Sequence, residues 1–130
     1  MNVRAIPITL TQTAAGAGTV ISPYPVAGEV VEVRLPIGGT VISDGTADFT
    51  ITKLYDGGTV LNVSNQTAPW EYFPRRAVHS TAGGTTAYGT AHAVYDTGGG
   101  VPVDGYLQVV WAQGAAAAAT ATLWVHVRES

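Results

Sequence analysis

The stretch TADFTITKLYDGGTVLNV, residues 46–63, constrains the fold more than any other part of the chain. Phe49 and Ile51 fall on one side of an extended backbone, and Asp48, Thr50 and Thr52 on the other. An apolar period of two gives a strand one oily face and gives a helix none. Asp56-Gly57-Gly58 then supplies the positive-φ positions that a tight hairpin turn requires, and TVLNVSN (59–65) leads the chain back.

The rest of the sequence follows the same pattern. GEVVEVRLPI (28–37) sets Val31, Val33 and Leu35 on one face, with Glu32 and Arg34 on the other. VRAIPITLTQT (3–13) alternates weakly and carries Pro7, which removes a ladder donor, so it reads as an edge or bulged strand. GTVISPYPV (18–26) is a short strand broken by Pro23 and Pro25. Further strands are expected at 86–95, 105–113 and 119–127. GAAAAATAT (114–122) is rich in the best helix former. It is nevertheless too short for a stable isolated helix and lies between two strong strands, so a hairpin loop is expected there. About eight or nine short strands separated by turn signals describe an all-β fold, an antiparallel β-sandwich with a jelly-roll-like arrangement. The length of 130 residues suits a single domain, 1–130, with 1–13 as an edge strand or N-terminal arm. Phe49, Ile51, Val31, Val33, Leu35, Val109 and Trp111 are the expected core residues.

Little in the sequence points to catalysis. His79, His92 and His126 stand apart from one another, without metal-ligand spacing, and there is no cysteine. No nucleophile-elbow pattern surrounds Ser80 or any other serine. DGTAD (44–48) lacks the acidic density and distal glutamate of a calcium loop. The glycines at 16, 18 and 98–100 do not stand between a strand and a helix, as a phosphate cradle requires. No enzyme activity, metal or cofactor is expected. A formal net charge of −3 gives no basic footprint for nucleic acid. The N-terminus has no charged head followed by a long apolar run, and no apolar stretch reaches membrane-spanning length.

Charged residues make up 12% of the chain, about half the usual share, so Thr, Ser, Gly and Ala must form much of the surface. Such a surface does little to keep copies apart. Composition fits both a self-assembling protein and a neutral extracellular β-protein. The clearest interaction segment is NQTAPWEYFPRRAVH, residues 65–79. Trp70, Tyr72 and Phe73 are crowded beside Arg75 and Arg76, the residue types that dominate binding hot spots. These five are the candidate partner contacts; the alternative is that the aromatics fold back and plug one end of the sandwich. Asn62 and Asn65 match the glycan acceptor pattern, which is short enough to arise by chance.

GTADFTIT, DGGTVLNVSN, the YFPRR element, VPVDGYLQVVWAQG and the closing ATATLWVHV together resemble the small head decoration, or cement, proteins of tailed bacteriophages. The resemblance covers residues 28–128 and consists of strands and turns rather than a diagnostic motif. It implies an all-β fold, a homotrimer, a place on the outer surface of the virion capsid, and the major capsid protein as partner, whose neighbouring subunits it would clamp. It also implies that an N-terminal arm, here residues 1–13, could reach along the shell. Two other functions remain compatible with the residues. One is another virion module: a head fibre, tail or baseplate component. The other is a carbohydrate-binding β-sandwich, in which Trp70, Tyr72 or Trp111 would offer a stacking face.

Overall fold

A computed structural model describes residues 2–74, 78–79, 85–86 and 100–129. The strands are β1 (Val3–Gln12), β2 (Gly18–Ile21), β3 (Val26–Leu35), β4 (Asp44–Lys53), β5 (Thr59–Thr67), β6 (Trp70–Tyr72), β7 (Val78–His79), β8 (Thr85–Thr86), β9 (Val101–Gly105), β10 (Leu107–Ala112) and β11 (Ala119–Arg128). A single 3-10 turn, Ile37–Gly39, separates β3 from β4.

Two antiparallel sheets form the sandwich. The first runs β1-β11-β3-β6, and β9 pairs with the start of β3 along the edge it shares with β6. The second runs β2-β10-β4-β5. β7 and β8 pair with each other. The β4–β5 hairpin stays within one sheet, whereas the links β1–β2, β2–β3, β3–β4, β5–β6, β9–β10 and β10–β11 all cross from one sheet to the other.

The core lies between the inner faces. Ile6, Ile8 and Leu10 of β1, Val30, Val33 and Leu35 of β3 and Leu123, Val125 and Val127 of β11 come from the first sheet. Phe49 and Ile51 of β4, Val60 and Leu61 of β5 and Leu107, Val109 and Trp111 of β10 meet them from the second. Burying each of these large side chains contributes about 1.5–3 kcal/mol. The inner faces are held in register by two polar residues that are themselves buried. Gln12 Oε1 accepts from Trp111 Nε1 at 3.0 Å, joining β1 to β10 across the core. Ser43 Oγ accepts from Trp70 Nε1 at 3.0 Å and donates to Gln66 O at 2.8 Å.

Several sequence expectations need correction. Val31 is not a core residue. Val33 pairs with Val125 and Glu32 with His126, but Val30 pairs with Val127, which leaves Val31 as the extra residue of a β-bulge. The bulge reverses the alternation, so Val30 takes the inward place. The alanine-rich segment is a loop, as expected, but not a hairpin loop, because β10 and β11 belong to different sheets. Gln12 Nε2 donates to Ala115 O at 2.9 Å and Ala117 O at 3.0 Å, while Gly114 N donates to Gly16 O at 2.8 Å. These carbonyls and amides are satisfied from outside the segment, and a helical turn would have to give those bonds up. The strand β9 was not anticipated. Of the two readings of residues 1–13, Val3–Gln12 takes the edge strand: β1 is paired along its whole length with β11. The strand expected at 86–95 lies almost wholly outside the described residues.

Candidate partner-binding site

The segment that follows β5 separates into an inner and an outer part. The chain turns at Ala68-Pro69 and enters β6, which pairs with the end of β3 through Leu35↔Trp70 and Val33↔Tyr72. Leu35 faces the core, so the Trp70 ring beside it does so too. Trp70 is 8% exposed and packs edge-on to Phe49, with ring centroids 5.1 Å apart. Its N–H is taken up by Ser43. Trp70 therefore closes the end of the core, as the plug reading describes, and leaves little of its ring at the surface. Tyr72 is half-buried, tilted against Trp70 at 5.7 Å, and its hydroxyl donates to Gln66 Oε1 at 2.7 Å. Phe73 is 54% exposed. Arg75 and Arg76 lie outside the described residues, so the structure brings together Trp70 and Tyr72 and leaves Phe73 on the surface.

The same burial removes Trp70 and Trp111 as sugar-stacking faces, since Trp111 is also buried with its N–H bonded to Gln12. Asp44 and Asp48, the acidic ends of DGTAD, act as hydrogen-bond acceptors, Asp44 within its own turn and Asp48 across to β5. Asp44 Oδ1 receives Thr46 N and Thr46 Oγ1, and Asp48 Oδ1 receives Asn65 N. Among the described residues no three His, Cys, Asp or Glu side chains converge as a metal site. Also among them, no helix is long and apolar enough to cross a membrane. His92 lies outside the described residues, and of His79 only the strand position is described.

Charge is unevenly placed over the two outer faces. The first sheet carries Glu29, Glu32 and Arg34 on β3, Glu71 on β6 and Arg128 on β11, with Arg4 and Glu129 at its end. There His126 Nδ1 lies 3.1 Å from Glu32 Oε1, although not aligned as a hydrogen bond. Glu71 hydrogen-bonds Glu32, and this shared proton raises the Glu71 pKa above its ordinary value. Desolvation and repulsion from Glu32 add to the rise, and Arg34 opposes it. The second sheet presents Thr19 and Ile21, Gln108, Val110 and Ala112, Thr50 and Thr52, and Asn62, arranged as cross-strand rows Thr19–Val110–Thr50–Asn62 and Ile21–Gln108–Thr52. Asp48, already engaged by Asn65, is the one charged side chain along these rows among the described residues.

Two features of the surface went unread in the sequence: this charge partition, and a pair of exposed tyrosines, Tyr55 and Tyr106, beside the β4–β5 turn. The signal for Tyr55 was its place next to Asp56-Gly57-Gly58, at a hairpin tip where no core can reach it. Compared with known protein families, with curated proteins and with solved structures, the chain matches none.

Proposed function

We propose that this chain is a non-enzymatic virion structural protein, a decoration protein that binds the outer surface of a phage head as a homotrimer and reinforces contacts between major capsid subunits. The observation that carries the reading is the outer face of the β2-β10-β4-β5 sheet, whose two central rows hold no charged side chain, with Asp48 beside them engaged by Asn65. Its Thr, Gln, Asn, Val and Ile rows can be desolvated against another protein surface without burying an unpaired charge. The charged face of the other sheet remains for solvent and keeps assembled particles apart. The resemblance of residues 28–128 to decoration proteins supplies the capsid and the number three.

Such a protein needs stiffness and repetition rather than catalysis. A trimer engaging equivalent patches of one shell gains avidity through effective concentration, about 10²–10⁴-fold without new contacts. Because it binds only the assembled shell, it stabilises that shell by mass action, about 2.7 kcal/mol per site at a free concentration 100 times Kd. Phe73, Arg75 and Arg76 remain the proposed shell contacts.

Light scattering after size exclusion tests the self-assembly half. Three chains per particle are expected for the native protein, and Val110→Lys should shift the mass to a single chain while the thermal midpoint stays within a few degrees. The capsid half is tested by mixing the protein with undecorated phage heads and imaging them. Ordered density on the outer shell is expected, and bare shells at saturating protein would overturn the reading.

A further inference from the structure

At the end of the sandwich away from Trp70, two loops are tied together. The β4–β5 tip is closed by Lys53 N to Gly58 O and Gly57 N to Lys53 O, both 2.8 Å, and by Gly58 N to Asp56 Oδ1, also 2.8 Å. Leu54 N then donates to Tyr106 O at 2.9 Å, which pins this tip to the link between β9 and β10. Each loop carries a tyrosine. Tyr55 is 94% exposed and Tyr106 42% exposed. Between and beneath them lies a groove of about 470 Å³, within the usual range for small-ligand sites. Pro102 forms part of its wall, and Asp56, Asp104 and Lys53 stand around it.

An aromatic ring left almost wholly in water on a hydrogen-bonded loop contributes nothing to the core. Its apolar face is available to a ligand, and the rigid tip means little entropy is lost when that ligand arrives. The polar groups around the ring narrow the choice of ligand. Two carboxylates accept hydrogen bonds, one ammonium donates them, and all three flank flat aromatic surface. A pyranose has the matching chemistry: an apolar C–H face for a ring to cover, and a rim of hydroxyls that both donate and accept. A protein partner fits less well. The Val103 side chain in the groove wall is 5% exposed and offers little aliphatic surface, and a flat protein contact would desolvate Asp56, Asp104 and Lys53 together.

We propose that this groove is a saccharide-binding site, in which Tyr55 and Tyr106 stack on sugar faces while Asp56, Asp104 and Lys53 hold ring hydroxyls. The site is formed wholly within one chain and stands whether or not the protein decorates a capsid. It differs from the stacking positions expected from the sequence, which are buried or half-buried.

Affinity electrophoresis in gels containing hydroxyethylcellulose, mannan, xylan, dextran or chitosan tests it, with a non-binding protein as mobility reference. At least one of these polysaccharides should retard the native protein. Tyr55→Ala and Tyr106→Ala should each weaken that retardation about tenfold or more, with thermal midpoints unchanged. Tyr55→Phe, which keeps the stacking face, should retain most of it, and Asp104→Asn should weaken it. Migration unaffected by all five polymers would overturn the proposal. So would retardation that survives the Tyr55→Ala/Tyr106→Ala double variant, or a groove that captures protein while ignoring every glycan.

Discussion

Gln12 shows how much one polar side chain can hold together. Its amide satisfies Trp111 Nε1 across the core and two carbonyls of the alanine-rich loop. Gln12→Leu would leave Trp111 Nε1 without a partner in the buried core, at a cost of about 1–3 kcal/mol, while the carbonyls of half-buried Ala115 and exposed Ala117 can turn to water. The expected result is a loss of about 1–3 kcal/mol in urea unfolding, and a loss under about 1 kcal/mol would mean that the indole N–H finds another partner. Glu71 makes a different kind of prediction. Its folded-state pKa is raised, chiefly by the proton it shares with Glu32. The unfolded chain therefore releases this proton first as pH rises, and the folded state loses relative stability through the interval between the ordinary and the raised value. Glu71→Gln keeps a donor toward Glu32 without the charge. It should match the native protein in acid and exceed it above that interval; parallel stability curves across the whole range would refute the coupling. The sequence could not distinguish Trp70 from Phe73, because which aromatic turns inward depends on the path of the chain between β5 and β6.

At the level of elements, legibility followed locality. The β4–β5 hairpin could be read because alternation and turn lie within one short window, and Phe49 and Ile51 are fully buried as that pattern requires. The bulge in β3 could not, since an extra residue is defined only against the partner strand β11. β9 escaped because VPVDG is short, holds Pro102 and ends in glycine. The alanine-rich loop was readable as non-helical, yet the change of sheet that it makes is a tertiary fact. The bulge supplies a direct check. Val31→Ala should cost less than about 1 kcal/mol, while Val33→Ala should cost about 2 kcal/mol or more. Deleting Val31 should also be tolerated, because Val30 then adjoins Glu32 and the Val30↔Val127, Glu32↔His126 and Val33↔Val125 pairs run on without the extra residue. Equal costs for the two alanine variants would restore the simple alternation.

Over the whole molecule, the repeated crossing between sheets means that most native contacts join residues distant in sequence. Loop closure must be completed before those contacts reward it. Refolding followed by tryptophan fluorescence should take milliseconds to seconds, as for other β-sandwiches. A microsecond relaxation would show that a local hairpin carries the barrier alone. Among the described residues, the low charge that the sequence displayed as a bulk property proves to be a partition, with most charged side chains gathered on the first sheet and, beside Asp48, uncharged rows of threonine, amide and aliphatic side chains on the other. Composition announced the shortage of charge; only the strand order tells where the shortage falls.

The pairing of β1 with β11 sets Val3 opposite Arg128, and Glu129 N reaches Asn2 O at 2.9 Å. Tension applied through the two ends would therefore meet the ladder at its first rung and open it one bond at a time, like a zipper, instead of shearing ten residue pairs at once. The fold should yield to a gentle pull from its ends while resisting force applied along the length of its strands. Any surface on which it is anchored does best to grip it by a face and leave the ends slack.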